Sequence, residues 1–444
     1  MIKEKIKNMA ITITKAPYNV SPSGNYSLFT ISSNITNLIY FQLDVIEINN
    51  NKIITSSKYF PRPNNPSEVS FDLSTILKNL VETEVNNDNA VIASVVDGTL
   101  EYRLKITEYI ASGADIITGE VYDNLNDKYL IWDAELDRVL FNKYNQYSFN
   151  VNDNQPIHFL STKQQITKQS STSAELLYFL NSNNIATKVR INLYKSNGDL
   201  KDSIVVPLPE GDLIRLNVSA KILNTIHDID FSDVGHYRVE LLNDLDEVKS
   251  ETKAYILENA HCSYKPINII YKNSLGGFDS WQFYNPIETV NITKTTMNTN
   301  VLRPDNNGQL NDNNNGVLNS DTKIINVKNK STFKVFSDTL NDYESIALRE
   351  IYTSSAVFVE LQDNTLVPIT IKGNSYKVQQ KYTNGTKGIR VELEFESLFI
   401  PSNYSLGNGV ELSSAMLLTN DLPVPVTPAS GIIYHNSNNG ILTL

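Results

Sequence analysis

The segment YDNLNDKYLIWD (122–133) contains the acidic side chains best placed for catalysis. It brings Asp123, Asp127 and Asp133 close to Trp132. Glycoside hydrolysis needs two carboxylates flanking the scissile bond, and an aromatic ring beside them can stack on a sugar. Acidic turns next to an aromatic strand are nevertheless ordinary in β-proteins. We therefore expect structural roles for these carboxylates, and a polysaccharide depolymerase is the least favoured of the functions considered.

Two further groups resemble metal or nucleophile sites without completing one. His261 and Cys262 are adjacent, and adjacent residues of a strand point to opposite faces, so they are poorly placed to act together. The segment that starts at Asn311 resembles an EF-hand loop, but Asn311 stands at the first ligand position. Thr322 stands at the twelfth, where a bidentate Glu is required. We predict no metal and no cofactor.

The common cofactor and nucleophile signatures are absent from the sequence. It contains no GxxxxGK[ST], GxGxxG, HExxH, CxxC or GxSxG motif. The formal net charge of −11 also argues against a surface that neutralises nucleic-acid phosphates. We predict a protein that is not an enzyme and does not recognise nucleic acid by sequence.

Cysteine content and hydropathy indicate a compartment. One cysteine in 444 residues excludes an intrachain disulfide and fits a reducing cytosol. The leader MIKEKIKNM runs into a segment too polar for a signal peptide, and no run approaches the roughly 18 apolar residues that span a bilayer. We expect no secretion signal and no membrane span.

Alternation of apolar and polar residues dominates the first half of the chain. It is clear in IYFQLDVIEI (39–48), EYRLKITEYI (101–110), TKVRINLYKS (187–196) and HYRVELLND (236–244). Period-two alternation is typical of half-buried antiparallel strands, and clusters of Asn, Gly, Asp and Pro between them supply turns. The sequence predicts β-sandwich modules.

An internal repeat predicts two such modules in tandem. VSFDLSTILKNL (69–80) matches IRLNVSAKILNTI (214–226), so that Asp72 pairs with Asn217 and Ser74 with Ser219. A Tyr-Arg strand follows each copy, at 102–104 and at 237–239. We expect Ser74 and Ser219 each to cap a short helix that plugs the end of a sandwich.

Two aromatic-rich stretches are the predicted interaction surfaces. The stretch 128–160 is expected to form a linking hairpin, with Trp132, Phe141 and Tyr144 at an interface between domains or subunits. In SLGGFDSWQF (274–283) the paired glycines predict a strand reversal, after which Phe278 and Trp281 anchor the return strand against the core or a partner.

The C-terminal part changes character. The capping pair Asn341 and Glu344 begins a predicted helix, and strands follow it, so a helix packed on an antiparallel sheet is expected. The final segment has three prolines in an extended run and is predicted to lie along a neighbour, with Tyr434 as a contact residue. The predicted divisions are a first β-sandwich at 1–127, the linking hairpin at 128–160, a second sandwich at 161–265, an α+β module at 266–420 with a flexible loop at 298–321, and an arm at 421–444.

The ordered set of motifs resembles a known family. YLIWDAELDRVLFNKYN, SLGGFDSWQF and LNDYESIALREIYTSSAVFVEL, the last followed by LVPITIKGNSYKVQQK, are similar to virion proteins of tailed Bacteroides phages, including the crAss-like phages. The resemblance covers about 128–398. It implies a tail or neck component built of immunoglobulin-like β-modules and assembled as a ring, and it implies no catalytic residues. The asparagine-rich stretch 298–321 departs from the family pattern.

We therefore expect a mainly β chain of tandem immunoglobulin-like β-sandwiches with a C-terminal α+β module and an extended arm. The expected function is a structural ring subunit of a phage tail or capsid–tail connector. Its expected partners are further copies of itself and other tail, neck or portal-vertex proteins, and its expected location is the virion, assembled in the host cytoplasm. The alternative is a receptor- or carbohydrate-binding module of a tail fibre or baseplate, in which exposed aromatic rings stack on sugars.

Overall fold

Antiparallel β-sheets make up most of the protein. The computed structural model describes residues 11–85, 90–258, 266–298, 307, 313–314, 317–318, 322–361, 365–373, 391–396, 434–435 and 441–442. Helices are few and short within these ranges. The predicted fold class, mainly β with tandem sandwiches and a C-terminal α+β module, is confirmed.

The first module packs a three-stranded sheet against a six-stranded one. The elements in this part of the chain are β1 (Ile11–Lys15), β2 (Val20–Pro22), β3 (Leu28–Ser33), β4 (Leu38–Glu47), β5 (Ile53–Tyr59), β6 (Glu68–Asp72), α1 (Ser74–Leu77), β7 (Ile92–Ser94), β8 (Thr99–Ser112), β9 (Asp115–Asp123) and β10 (Tyr129–Trp132), and all strands but β7 belong to the two sheets of this module. The strand orders are β1-β3-β6 and β2-β10-β8-β4-β5, with β9 paired to β8. Side chains that alternate inward, such as Phe29, Phe41 and Leu43, are fully buried between the sheets.

The second module packs a five-stranded sheet against a three-stranded one, and β7 from the preceding part of the chain is the third strand of the smaller sheet. Its elements are α2 (Arg138–Lys143), β11 (Ile166–Ser170), β12 (Leu176–Leu180), β13 (Lys188–Lys195), β14 (Leu200–Pro207), β15 (Leu213–Asn217), α3 (Ala220–His227), β16 (Val234–Leu242) and β17 (Lys253–Glu258). The strand orders are β11-β17-β16-β13-β14 and β12-β15-β7. One parallel pair occurs in each module, β2 with β10 and β11 with β17, at matching positions. The shared topology supports the duplication inferred from the sequence.

The repeated helix starts are stabilised differently from the prediction. Neither Ser74 nor Ser219 caps its helix through the hydroxyl. Instead Asp72 Oδ1 accepts from the Ser74 N–H at 3.0 Å, and Asn217 Oδ1 accepts from the Ser219 N–H at 3.2 Å. The Ser219 hydroxyl is already an acceptor for the Glu175 N–H at 2.9 Å. Asp72 and Asn217 therefore order the start of each helix, because each side chain accepts a hydrogen bond from the backbone N–H two residues later.

The boundary predicted between the first two modules does not agree with the strand pairing. Strand β7 lies inside the predicted first module, yet it pairs with β15, with Ala93 opposite Arg215. The hairpin predicted for 128–160 is also wrong. That stretch contains β10, which lies inside the first module's sheet between β2 and β8, and then α2. Asp137 caps α2 by accepting from two N–H groups of its first turn, so a helix begins where a return strand was expected.

In the described residues, the third module has a seven-stranded sheet, a separate two-stranded pair and two short helices. Its elements are β18 (Ile267–Lys272), β19 (Phe278–Asn298), β20 (Asn313–Asn314), β21 (Val317–Leu318), β22 (Thr322–Ser337), α4 (Asp342–Ala347), α5 (Glu350–Thr353), β23 (Val357–Glu360), β24 (Leu366–Pro368), β25 (Thr370–Lys372) and β26 (Glu392–Glu396). The strand order is β24-β23-β18-β19-β22-β26-β25, and β20 and β21 form the separate pair. Leu348 and Ile351 bury against the sheet, as expected for a helix on an antiparallel sheet.

The predicted loop and arm lie largely outside the described residues. Within 298–321 the structure gives the small pair β20 and β21, and on either side of it β19 and β22 pair as far as Asn298 opposite Thr322. Within 421–444 it gives β27 (Tyr434–His435) paired with β28 (Ile441–Leu442). His261 and Cys262 are not among the described residues. In the described part of the chain, no helix is long and apolar enough to span a bilayer.

The start of α4 supplies a test of the capping interpretation. Asn341 Oδ1 accepts from the Glu344 N–H at 2.8 Å, and Glu344 Oε2 accepts from the Asn341 N–H at 2.7 Å, which confirms the predicted pair. Asn341→Ala should lower the free energy of unfolding by about 1 kcal/mol in a urea titration, because the Glu344 N–H loses its side-chain acceptor. Asn341→Asp keeps the acceptor and should stay close to wild type. Equal losses in the two variants would contradict the capping role.

Candidate functional site

The double-glycine turn is the point where the three modules meet. Asn273 Oδ1 organises the turn by accepting from the N–H groups of Leu275 at 3.0 Å and Gly277 at 3.2 Å. The predicted reversal between β18 and β19 is confirmed, and Gly276 has φ +92°, a value that favours glycine. Trp132 donates its indole N–H to the Leu275 carbonyl at 2.9 Å. The turn is thereby bonded to the end of the first module.

The turn packs too closely against its neighbours to accept a larger residue at Gly276 or Gly277. A Cβ on Gly276 would overlap the Asp133 carbonyl oxygen and lie 2.9 Å from Trp132 Cδ1. A Cβ on Gly277 would overlap the Leu160 carbonyl oxygen. The glycine pair is therefore required by close approach of two backbone segments, in addition to the turn conformation.

A shared apolar core surrounds the turn, and we call it the junction core. It draws from every module: Val20, Leu130, Trp132, Ala134, Leu136, Tyr144, Phe149, Leu160, Ala174, Leu176, Tyr178, Leu180, Leu213, Ile270, Leu275 and Phe278. Ring centroids lie 5.8 Å apart for Trp132 and Tyr144, and 6.0 Å apart for Tyr178 and Phe278. Such aromatic pairs add stability beyond the area they bury.

Three of the six predicted contact residues are buried members of the junction core. Trp132, Tyr144 and Phe278 are 0%, 6% and 1% exposed, so their rings contact other modules of the same chain and leave no surface for a second subunit. Of the alternatives left open by the sequence, contact between domains at Trp132 and Tyr144 and packing against the core at Phe278 agree with the structure, and subunit contact at these three positions is corrected. The physical reason is that the aromatic density near β10 fills the space between modules.

The other three predicted contact residues are Phe141, Trp281 and Tyr434. Phe141 is partly buried against the junction core. Trp281 is partly buried against the third-module core, and the Lys163 ammonium lies 5.6 Å from its ring centroid. For Tyr434 the structure gives the backbone pairing with Leu442, and its contact role stays a prediction.

A buried carboxylate next to the turn joins the second and third modules. Asp279 is fully buried and accepts four hydrogen bonds. Its donors are Ser161 Oγ at 2.6 Å, the Thr162 N–H at 2.9 Å, Thr162 Oγ1 at 2.8 Å and Asn273 Nδ2 at 2.9 Å. These bonds compensate the cost of removing the carboxylate from water. Sequence analysis missed Asp279, although its position directly after the GGF turn was visible.

An ion pair is buried a few residues away. Lys163 Nζ lies 2.6 Å from Glu175 Oε2, and both side chains are about 5% exposed, at 6% and 4%. Burial raises the pKa of Glu175, while the nearby Lys163 acts to lower it. Lys253, also buried, donates to the carbonyls of Lys163 at 2.7 Å and Gln164 at 3.1 Å, and burial lowers its pKa. Both partners belong to the second module, and Ser280 Oγ of β19 donates to Glu175 Oε2 at 3.2 Å, so the third module contacts this buried pair through a hydrogen bond.

Two openings lie at the module boundaries. A small one of about 100 Å³ is lined by Lys163, Glu175, Ser280, Trp281 and Gln282 among others, between the second and third modules. A larger one of about 610 Å³ lies between the first module, the segment after β10 and the third module. Its wall carries charges of both signs, including Lys78, Glu135, Arg138, Arg349 and Glu350. Several of these groups form ion pairs or hydrogen bonds with each other or with neighbouring residues, as Lys78 does with Glu135. The opening is therefore a gap between modules that is lined by both positive and negative side chains.

The carboxylates considered for glycoside hydrolysis have structural partners. Asp123 pairs with Arg103, and Asp127 accepts from the Tyr122 hydroxyl. Asp133 pairs with Lys272. The Trp132 ring that was considered as a sugar platform is fully buried. These contacts support the structural roles expected from the sequence.

No metal site emerges within the described ranges. They contain no group of three or more His, Cys, Asp or Glu side chains that could hold an ion. The EF-hand-like segment lies mostly outside them, since Asn311 and Gly316 are not described.

Comparisons with known proteins give distant similarities. No family model and no curated protein matches the chain. A marsupial T cell receptor is 8% identical, with 73% of this chain and 94% of that chain covered, at a TM-score of 0.19. A structure of the Salmonella enterica SafA pilin with the SafB chaperone is 10% identical, covering 56% and 96%, at 0.18. Escherichia coli alpha-2-macroglobulin is 7% identical, covering 83% and 24%, at 0.18. Scores this low carry no argument, and the description of the fold rests on the chain's own sheets.

The seat of the turn can be tested with two matched glycines. Gly276 and Gly198 have φ of +92° and +91°, but a Cβ on Gly198 would meet nothing within 4 Å. Gly198→Ala should cost about 1–2 kcal/mol of unfolding free energy from backbone strain alone. Gly276→Ala should cost about 2 kcal/mol more in the same urea titration, because the methyl group displaces the turn from Trp132 and Asp133. Similar losses in both variants would show that the turn is not tightly seated.

The buried ion pair can be tested against an exposed one. Lys163→Met leaves Glu175 buried without its cation and should cost about 3–5 kcal/mol of unfolding free energy. Lys163→Met with Glu175→Gln should cost clearly less. The control is Lys168→Met, which breaks the Lys168–Glu258 pair, 63% and 46% exposed, and should cost less than about 1 kcal/mol.

The same variant has a predictable pH dependence. Burial already raises the pKa of Glu175, and Lys163→Met removes a group that lowers it. A carboxyl whose pKa is raised on folding contributes most at low pH, and the contribution is lost as pH rises through the folded pKa. The deficit of Lys163→Met should therefore shrink as pH falls toward 4.5, the ordinary value for a glutamate. A deficit that is constant with pH would assign the loss to packing.

Proposed function

We propose that this protein is a non-enzymatic structural subunit of a bacteriophage virion. In this proposal it forms a ring in the tail or in the connector between capsid and tail. Its partners are further copies of itself and the adjoining tail, neck or portal-vertex proteins. It works in the virion after assembly in the host cytoplasm.

The observation that supports the proposal most is where the family-like motifs lie. YLIWD supplies Trp132 and Asp133, and SLGGFDSWQF supplies the turn that rests on them. The stretches that resemble phage virion proteins thus hold the three modules together. A chain whose most distinctive residues fix module orientation suits a part that must present fixed surfaces to its neighbours.

Rigidity of this kind favours assembly. A subunit whose modules are already oriented loses less conformational freedom when it joins a ring. Each ring subunit must offer two different complementary faces, and a chain of unlike modules provides them.

The carbohydrate-binding alternative has less support at the aromatic residues first considered for sugar stacking. Sugar binding by aromatic stacking needs an accessible ring face, and Trp132 and Phe278 are 0% and 1% exposed. Trp281 is the remaining aromatic of that group at an opening, where Lys163 lies over its ring. A receptor- or carbohydrate-binding role would have to use this ring or other surface aromatics.

Native mass spectrometry of the full chain tests the proposal. We expect a concentration-dependent series that ends in one closed oligomer, visible as a ring by negative-stain imaging. Deleting 424–444 should reduce the oligomer and leave the circular dichroism and the unfolding midpoint of the monomer unchanged, because the arm is predicted to lie along a neighbour.

The opposite result is equally clear. A chain that stays monomeric at every concentration and binds defined oligosaccharides on a glycan array would replace the ring with the carbohydrate-binding alternative. Normal assembly of the deleted chain would remove the arm from the proposal and leave the ring in place.

A further inference from the structure

The long pairing of β19 with β22 extends beyond the module that contains it. Residues 287–298 and 322–331, which we call the ribbon, pair from Val290 opposite Ser331 to Asn298 opposite Thr322. Each strand of the ribbon is about 35 Å long at the usual rise per residue. The residues at 287–297 and at 322–328 are all exposed. Among the residues that the structure describes, the sheet therefore continues as two exposed strands.

One face of the ribbon carries four exposed apolar side chains, together with Lys294 and Glu288. Residues opposite each other in an antiparallel pair share a face, and alternate residues of a strand share it too. The register places Val290, Ile292, Ile324 and Val327 on the same face. They are 48%, 59%, 49% and 52% exposed. This face continues the buried face of the third module, since Phe333 pairs opposite Glu288 and is 1% exposed.

The other face is polar and basic. It carries Asn291 opposite Lys330 and Thr293 opposite Lys328, followed beyond the bulge by Lys323. The whole ribbon has four lysines and one glutamate, in a chain whose net charge is −11. Lys330 contacts Glu396 at 2.8 Å.

A two-stranded ribbon with an exposed apolar face is marginal in water by itself. Independent stability needs a third strand or a packed face. Unpaired strand edges also bind other strands readily, unless they are covered. The ribbon therefore has the properties of a surface that is completed by a partner.

A complementary surface exists on the first module. Strand β9 carries Asp115, Glu120 and Asp123 and no lysine or arginine. It also exposes Ile116, Ile117 and Val121, at 56%, 45% and 50%. Within the described part of the chain β9 is hydrogen-bonded to β8 on one side and lies at the margin of its sheet. Its length of about 30 Å is close to that of the ribbon.

We propose that the ribbon of one copy docks on β9 of a second copy of this chain. The ribbon and β9 pair edge to edge, so that side chains on both faces of each strand gain neighbours across the contact, apolar beside apolar and lysine beside carboxylate. The two surfaces differ and lie on different modules, so the contact is head-to-tail and can close into a ring. The inference deepens the proposed function, since it depends on self-assembly and names the surfaces that would carry it.

Charge reversal on each surface tests the docking. The ribbon variant is Lys294→Glu, Lys323→Glu and Lys328→Glu, and the edge variant is Asp115→Lys with Glu120→Lys. Each should raise the concentration at half-assembly by roughly tenfold or more in native mass spectrometry and light scattering, since like charges then meet. Asp123 is left intact because it pairs with Arg103 inside the module.

Mixing the two variants supplies the decisive measurement. In an equimolar mixture each acidic ribbon meets a basic edge and each basic ribbon meets an acidic edge, so assembly should return, with the two variants alternating. A matched control, Lys15→Glu, Lys52→Glu and Lys195→Glu, makes the same charge change at other exposed lysines and should assemble like wild type. Ile292→Thr with Val327→Thr should weaken assembly while leaving circular dichroism unchanged, because the apolar contact is lost.

The outcomes separate the two proposals. If the wild type assembles and both charge variants assemble equally well, the docking is wrong and the ring proposal stands. If each variant fails alone and the mixture also fails, the two surfaces do not meet each other and the docking is again wrong. A wild type that never assembles overturns self-assembly and the docking together.

Discussion

The contact on which the rest of the structure depends is the seating of the Asn273–Gly277 turn against the end of β10. It combines one buried hydrogen bond, from Trp132 Nε1 to the Leu275 carbonyl, with a backbone approach that excludes any Cβ at Gly276 and Gly277. Around it lies an apolar core to which all three modules contribute. A small movement of the turn would therefore disturb three modules, because close-packed interiors transmit displacement.

Buried polar groups give this junction its specificity. Apolar surfaces alone tolerate many arrangements, since hydrophobic burial has no direction. The Asp279 carboxylate of the third module accepts from Ser161 and Thr162 of the second. The buried Glu175 of the second accepts from Ser280 of the third, so sliding one module over the other would leave buried carboxylates without donors. The modules are thus held in one relative orientation by bonds that have a required geometry.

A fixed orientation gives meaning to the surfaces that remain outside. The ribbon extends the third module, and β9 lies at the margin of the first, so the junction determines how these two surfaces are directed. A basic ribbon with an apolar face and an acidic edge with exposed isoleucines are complementary in kind. Assembly through them would use the rigidity that the junction core supplies.

The sequence by itself determined the local structure and the repeat. Period-two alternation gave the strands, the paired glycines gave the turn, and Asn341 with Glu344 gave the start of α4, because each depends on neighbours along the chain. Contacts between distant segments were decided by the tertiary structure. The sequence could not show that Trp132 meets Leu275, that β7 pairs with β15, or that β19 and β22 pair beyond their module. Those contacts depend on which apolar faces pack together in three dimensions, and the spacing of residues along one segment does not determine that packing.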